Sequence, residues 1–289
     1  MQSAVSRPRA LNVTGILNAS FRLYREQFWT YLTIIMIIEI PVLMLLSIFW
    51  SINNTTLMTF QYTFLSVRWD MTSLSILALI LMADPLDTLS LVVLAVVHQI
   101  HAGILINATA QIYHTGSTSV LQAYSVRIIS IAMIGLLGLV NIIVSTITLV
   151  PYLVFLGILL TLPFVCIYQI VMLENPNPFA AIVRNWYLIQ GSVLRIIGLM
   201  LLLLALYWVL YVLPISLLTS ILSFMSEHIW LYTGIPDILI WGQAVLGYLI
   251  SLLLLSFSTI VFTLLYFELR ARRDGYDLEH KAQQHFDRS

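Results

Sequence analysis

Three ionisable residues sit inside stretches that are otherwise apolar. Glu39 lies near the middle of the run 29–50, two residues before Pro41, and His98 and His101 lie near the middle of the run 86–113. A spacing of three puts both imidazoles on one face of a helix. An ionised carboxylate in hydrocarbon costs about 2.5–3.5 kcal/mol on insertion scales, so Glu39 must be protonated or face a partner. Glu39 and the histidine pair are expected to meet at similar depth, while Asn107 and Gln111 carry the polar character onward. A carboxyl group among imidazoles suits a proton relay, an ion site or a polar substrate site. It equally suits interhelical hydrogen bonding that fixes how two spans pack, worth about 0.6 kcal/mol per bond, and packing is the reading the sequence favours. Two histidines and a glutamate also match zinc ligands in type. Nothing else marks a metal site, so no metal and no cofactor is expected.

Glu174 and Arg184 form a second candidate set, as contacts at the cytoplasmic mouth for a substrate or a partner. The simpler reading is that Glu174 braces the short turn "ENPNP" while Arg184 meets lipid phosphate. Arg270, Arg272 and Arg273 read as a stop-transfer cluster that attracts anionic lipid. There is no phosphate-cradling glycine loop, nucleophile elbow or metalloprotease helix. The basic residues are few and hug apolar runs, so nucleic acid is not an expected partner. The single cysteine, Cys166, excludes an intrachain disulfide and reads as a small buried hydrophobe.

The elements that must position these residues follow from composition. Of 289 residues, 60% are hydrophobic and 9% charged, with a mean hydropathy of +0.97. A soluble domain carries about 25% charged residues, so lipid must be the solvent for most of this chain. The expected fold is all-α, a polytopic transmembrane helical bundle of about six spans, near 29–50, 86–113, 129–149, 152–173, 193–219 and 237–267. A cytoplasmic N-terminus (1–28) precedes this membrane domain (29–268), and a cytoplasmic tail (269–289) follows it. The apolar stretch 128–173 is too long for one helix, and Pro151 interrupts it, which predicts a hairpin. Residues 51–85 form an outer segment whose weaker apolar piece, 74–82, is too short to span. No cleavable signal is recognisable, so the first span is expected to stay in the mature protein.

Charge sets the orientation. In the six-span arrangement Arg7, Arg9, Arg22, Arg25, Arg127, Arg184, Arg195, Arg270, Arg272, Arg273, Lys281 and Arg288 share one side, and of the 13 basic residues only Arg68 falls on the other. That asymmetry predicts that both termini are cytoplasmic, in a plasma membrane of the bacterial inner-membrane type. Amphipathic stretches precede the hairpins at 13–28, 119–127 and 179–190. They read as interfacial helices with arginines toward headgroups, Arg22 and Arg25 among them, and aromatics in the acyl boundary. Helix plus hairpin, repeated, suggests three degenerate units.

Three segments carry a family resemblance. "LNVTGILNASFRLYREQFWTYL" resembles the start of the glycerophosphoryl diester phosphodiesterase membrane-domain family and related bacterial polytopic membrane proteins. "VMLENPNPFAAIVRNWYLIQGSVLRIIGLM" is similar to that family's central signature, and "LLYFELRARRDGYDLE" to its tail, the most specific of the three. In some members this domain precedes a soluble phosphodiesterase barrel. Here about 20 residues follow the sixth expected span, and the His-Arg and Glu-x-Asp motifs of the enzyme are not recognisable. The resemblance therefore implies a membrane domain and no phosphodiesterase activity.

Three functions remain open on these grounds. The first is a non-catalytic scaffold or accessory subunit with the bilayer and a membrane-protein partner. The second is a transporter or channel for a small solute or lipid, using Glu39, His98 and His101 with the membrane prolines Pro163 and Pro214. The third is a membrane-embedded lipid enzyme.

Overall fold

The computed structural model describes residues 12–52, 85–137, 162–174, 177–228 and 237–274. All but the first two residues and Pro85 of the expected outer segment 51–85, the hairpin turn expected at Pro151, both chain ends, and Arg7, Arg9, Arg68, Lys281 and Arg288 lie outside the described residues. Among the described residues the structure is all-helical, with no strand. Among the described residues three helices are long and apolar enough to cross a membrane: Phe28–Leu45, Val193–Met225 and Val245–Asp274. The shorter apolar helices Ile128–Leu137 and Leu162–Leu173 lie at the two described ends of the stretch expected to form the hairpin.

Local signals set the boundaries. Helix α1 (Val13–Glu26) starts where the Asn12 side chain accepts from the Gly15 amide, a typical N-cap bond. The amide-to-carbonyl bonds Gln27→Leu23 and Tyr31→Gln27 carry the chain almost unbroken into α2 (Phe28–Ile52). Helix α3 (Pro85–Thr115) opens on a proline, whose missing N–H would have had no helical partner there. It closes at Gly116, where φ is 84°. The expected middle interfacial helix shrinks to one turn, α4 (Val120–Ala123), held by a capping box between Ser119 and Gln122. Ile128–Leu137 is α5. A 3-10 turn (Leu162–Phe164) leads into α6 (Ile167–Leu173). Helix α7 (Pro178–Ile189) follows, capped by the Asn177 side chain and with Pro178 in its first turn.

The fifth expected span is longer than its apolar run suggested. Helix α8 (Val193–Tyr207), a π segment (Trp208–Val212) and α9 (Leu213–His228) follow without a break. Pro214 has no amide to donate to the preceding turn, and the wider π turn just before it relieves the ring's clash with that turn's carbonyl. With 15, 5 and 16 residues the rod is about 54 Å long at 1.5 Å per residue. Helix α10 (Asp237–Asp274, 38 residues) also runs past its expected end near 267. Both exceed a hydrocarbon core of about 30 Å, so they tilt or protrude.

Helix α10 is the axis of the fold. The rod runs antiparallel to it, since Arg195 meets Glu268 at one end and Gln243 meets Thr219 near the other. Helix α3 instead runs parallel to it: Tyr113 stacks on Phe267, and the His98 ring lies edge-on to that of Tyr248. Along 259–269 nearly every residue of α10 is buried. Helix α1 departs from its expected role. Its apolar stripe, with Ile16 and Leu23, is buried in the protein core. Phe21 meets Phe257 edge-on, and the Tyr24 hydroxyl donates to the Leu253 carbonyl at 3.4 Å. That face packs on α10, which leaves a polar rim outside. Helix α7 does keep an outward apolar face, with Phe179, Val183, Trp186 and Tyr187 exposed.

The α7–α8 joint depends on Gly191, whose φ of 77° is the left-handed region. A Cβ there would also stand 3.5 Å from an Arg273 nitrogen. Gly191→Ala is expected to cost about 1–2 kcal/mol, read as a lower melting midpoint of the purified protein. An unchanged midpoint would show that the joint tolerates a side chain.

Candidate functional site

Helical periodicity points Glu39 inward. Tyr31, Ile34, Ile35 and Glu39 are all fully or almost fully buried and share one face of α2. On α3 the same holds for His101, Leu105, Ala108 and Ile112. The two faces oppose each other, and α10 closes the third side.

The resulting node joins three helices. Nδ1 of His101 lies 3.0 Å from Oε1 of Glu39, and both side chains are at most 1% exposed. This is ion-pair distance, although the ring N–H direction misses a straight hydrogen bond. The Tyr248 hydroxyl of α10 donates to the other carboxylate oxygen, Oε2. His98 sits beside them, its ring 6.1 Å from that of Tyr248 and 6.4 Å from that of His101. Nε2 of His101 is buried and has no hydrogen-bond partner among the described residues. Toward the other end of α3, the Tyr31 hydroxyl and Thr109 Oγ1 pair at 3.1 Å, and the Tyr124 hydroxyl donates to the Ile34 carbonyl at 2.6 Å. The carboxylate thus stands between a ring nitrogen of α3 and a hydroxyl of α10, a polar clasp on three helices. Among the described residues no group of three metal-ligating side chains is arranged to hold an ion.

Comparison with protein-family models, with curated proteins and with solved structures yields no match.

The second candidate pair is also brought together, and more tightly than expected. Arg184 donates Nε and Nη2 to the two oxygens of Glu174 at 3.0 and 3.3 Å. It donates Nη1 to Asp274 at 3.2 Å and Nη2 to the other Asp274 oxygen. Such fork-on-carboxylate geometry suits the planar guanidinium. The Tyr266 hydroxyl donates to Glu174 at 2.7 Å, and Nε of Arg270 lies 3.6 Å from Glu174 and 3.8 Å from Asp274. Partial burial alone would lower the Arg184 pKa, but Asp274 and Glu174 outweigh it and raise the pKa above its ordinary value. Arg184 is therefore not turned to lipid phosphate. It ties α7 and the end of α6 to the end of α10.

The other arginines assigned to headgroups divide into two groups. Arg272 pairs with Glu268, which also holds Arg195 at 2.7 Å. Arg273 donates to the Gln190 carbonyl and, with Arg184, lies over the Tyr187 ring. Arg22 and Arg25 are exposed instead.

Several residues of these sites escaped the sequence reading. Arg270/Asp274 and Glu268/Arg272 are i,i+4 pairs and were legible as such. Tyr248 gave no signal, because a tyrosine in an apolar helix is common at interfaces. Asn185 was hidden inside an amphipathic helix. It accepts from the Cys166 amide at 3.0 Å and donates to the Leu162 and Pro163 carbonyls at 3.1 and 2.8 Å. It thereby satisfies backbone groups in the 3-10 turn around Pro163 and at the start of α6.

Proposed function

We propose that the chain is a six-span protein of a bacterial-type plasma membrane, with both ends cytoplasmic, that serves as a non-catalytic scaffold or accessory subunit for a membrane-protein partner. The observation that carries this reading is the closed Glu39–His101–Tyr248 node. Its polar atoms are directed chiefly at one another, across three helices, which is what packing requires. The arginine network at the inner end has the same character: Arg184, Arg270 and Arg272 each meet a carboxylate on another helix or one turn away. The placing of twelve basic residues on one side supports the topology. The exposed Phe179, Val183, Trp186 and Tyr187 support α7 as a helix lying in the inner interface. The resemblance to the glycerophosphoryl diester phosphodiesterase membrane domain supports a membrane module and carries no activity.

Purification of the full chain in mild detergent tests the reading. A stoichiometric membrane-protein partner is expected to co-purify, and a monodisperse lone protein would count against it.

One observation favours transport as a second reading. Nε2 of His101 is buried and has no hydrogen-bond partner among the described residues, so the node offers a nitrogen to a further group. Under that reading Glu39→Gln abolishes proton or solute flux in reconstituted vesicles while the protein stays folded. Under the scaffold reading no flux depends on Glu39.

A further inference from the structure

Five arginines fall where lipid headgroups are expected, and their surroundings differ. Arg270, Arg272 and Arg273 each engage a carboxylate or a carbonyl. Arg22 and Arg25 are exposed, and among the described residues neither closes an ion pair or hydrogen bond. Glu26 stands one turn beyond Arg22 without bridging to it.

These two arginines are held in place by their own helix. Ile16 and Leu23 fix α1 in the core, and Tyr24 and Phe21 fasten it to α10. A spacing of three puts both guanidinium groups on one face. A single turn residue, Gln27, separates α1 from α2, so both guanidinium groups stay close to the first turn of α2. Four residues after Arg25 comes Trp29, 75% exposed, and further along α2 Ile37 and Ile40 are exposed too, on the same side as Trp29. From Trp29 to Ile40 the helix rises about 16 Å, the depth of one leaflet in a core about 30 Å thick.

We propose that this face binds one anionic phospholipid of the inner leaflet. Arg22 and Arg25 take the phosphate and the negative headgroup, Trp29 sits at the glycerol level, and an acyl chain lies along Ile37 and Ile40. Two positive charges that pair with no acidic group among the described residues, next in the chain to an apolar track one leaflet deep, match an anionic lipid better than a zwitterionic one. The proposal rests on the topology given above in one respect, that α1 is cytoplasmic.

Native mass spectrometry of the full chain, titrated in mild detergent with phosphatidylglycerol or phosphatidylcholine, tests it. The wild type is expected to retain phosphatidylglycerol preferentially. Arg22→Gln with Arg25→Gln weakens that binding about thirtyfold and each single exchange about fivefold, with phosphatidylcholine binding unchanged. Arg22→Lys with Arg25→Lys keeps most of the affinity, and Arg273→Gln leaves it intact. Equal retention of both lipids by the wild type overturns the proposal, as does undiminished phosphatidylglycerol binding in the Gln variants. Labelling Thr14→Cys in sealed vesicles separates the two possible failures. Labelling only from the outer side overturns the topology. Labelling from the inner side with no lipid preference overturns the lipid site alone.

Discussion

Glu39→Ala is expected to destabilise the protein by about 3–5 kcal/mol, the cost of breaking a buried pair by removing one partner. The substitution leaves the His101 imidazole fully buried with neither nitrogen engaged, and it removes the acceptor of the Tyr248 hydroxyl. It also separates the attachment of α2 from both α3 and α10. Thermal melting of the detergent-purified protein measures the loss. Glu39→Gln is expected to cost less, because an amide oxygen still accepts from Tyr248. A wild-type midpoint for Glu39→Ala would mean that the pair contributes no packing energy.

Glu268→Ala carries the second largest expected effect, about 2–4 kcal/mol. Glu268 is 2% exposed and holds both Arg195, from the first turn of α8, and Arg272, one turn along its own helix. Without the carboxylate, Arg195 loses the ion pair it makes at 2.7 Å in a site that is only 19% exposed, and removing one member of a mostly buried pair is costly. The α8 end should loosen from α10 before the rest of the bundle. Hydrogen exchange reads this as faster exchange of the α8 amides that follow Arg195, with α2 and α3 unaffected. Uniform loss of protection in all three helices would instead show that Glu268 supports the whole fold. Arg272→Ala is expected to do far less, since Arg272 is more exposed and pairs within its own helix.

Much of the architecture was legible because the periodicities are strong. Tyr31, Ile34, Ile35 and Glu39 form a helical stripe that any reading of 28–45 must bury, and the meeting of Glu39 with His101 follows once α2 and α3 pack side by side. What was not legible depends on which neighbour each face finds. Amphipathic patterning told α1 and α7 to bury one face, but not whether protein or lipid would cover it. Helix α1 puts its stripe on α10, whereas α7 keeps Phe179, Val183 and Trp186 outward. The ends of the fifth and sixth spans were placed where the apolar runs weaken. Helical hydrogen bonding continues past those points, through the π turn before Pro214 and into the charged end of α10. Arg184 was read as a lipid contact because Asp274, its partner 90 residues away, lies on an element whose proximity no local pattern announces.

The central claim is that the Glu39–His101 node binds helices to one another. A double-mutant cycle in thermal stability tests it most directly, with Glu39→Ala, His101→Ala and the combined variant measured against the wild type. A packing node predicts coupling of about 1–3 kcal/mol between residues in contact, so that the double variant loses less than the sum of the two single losses. Strictly additive losses, or single variants as stable as the wild type, would contradict the account and leave the pair free for chemistry.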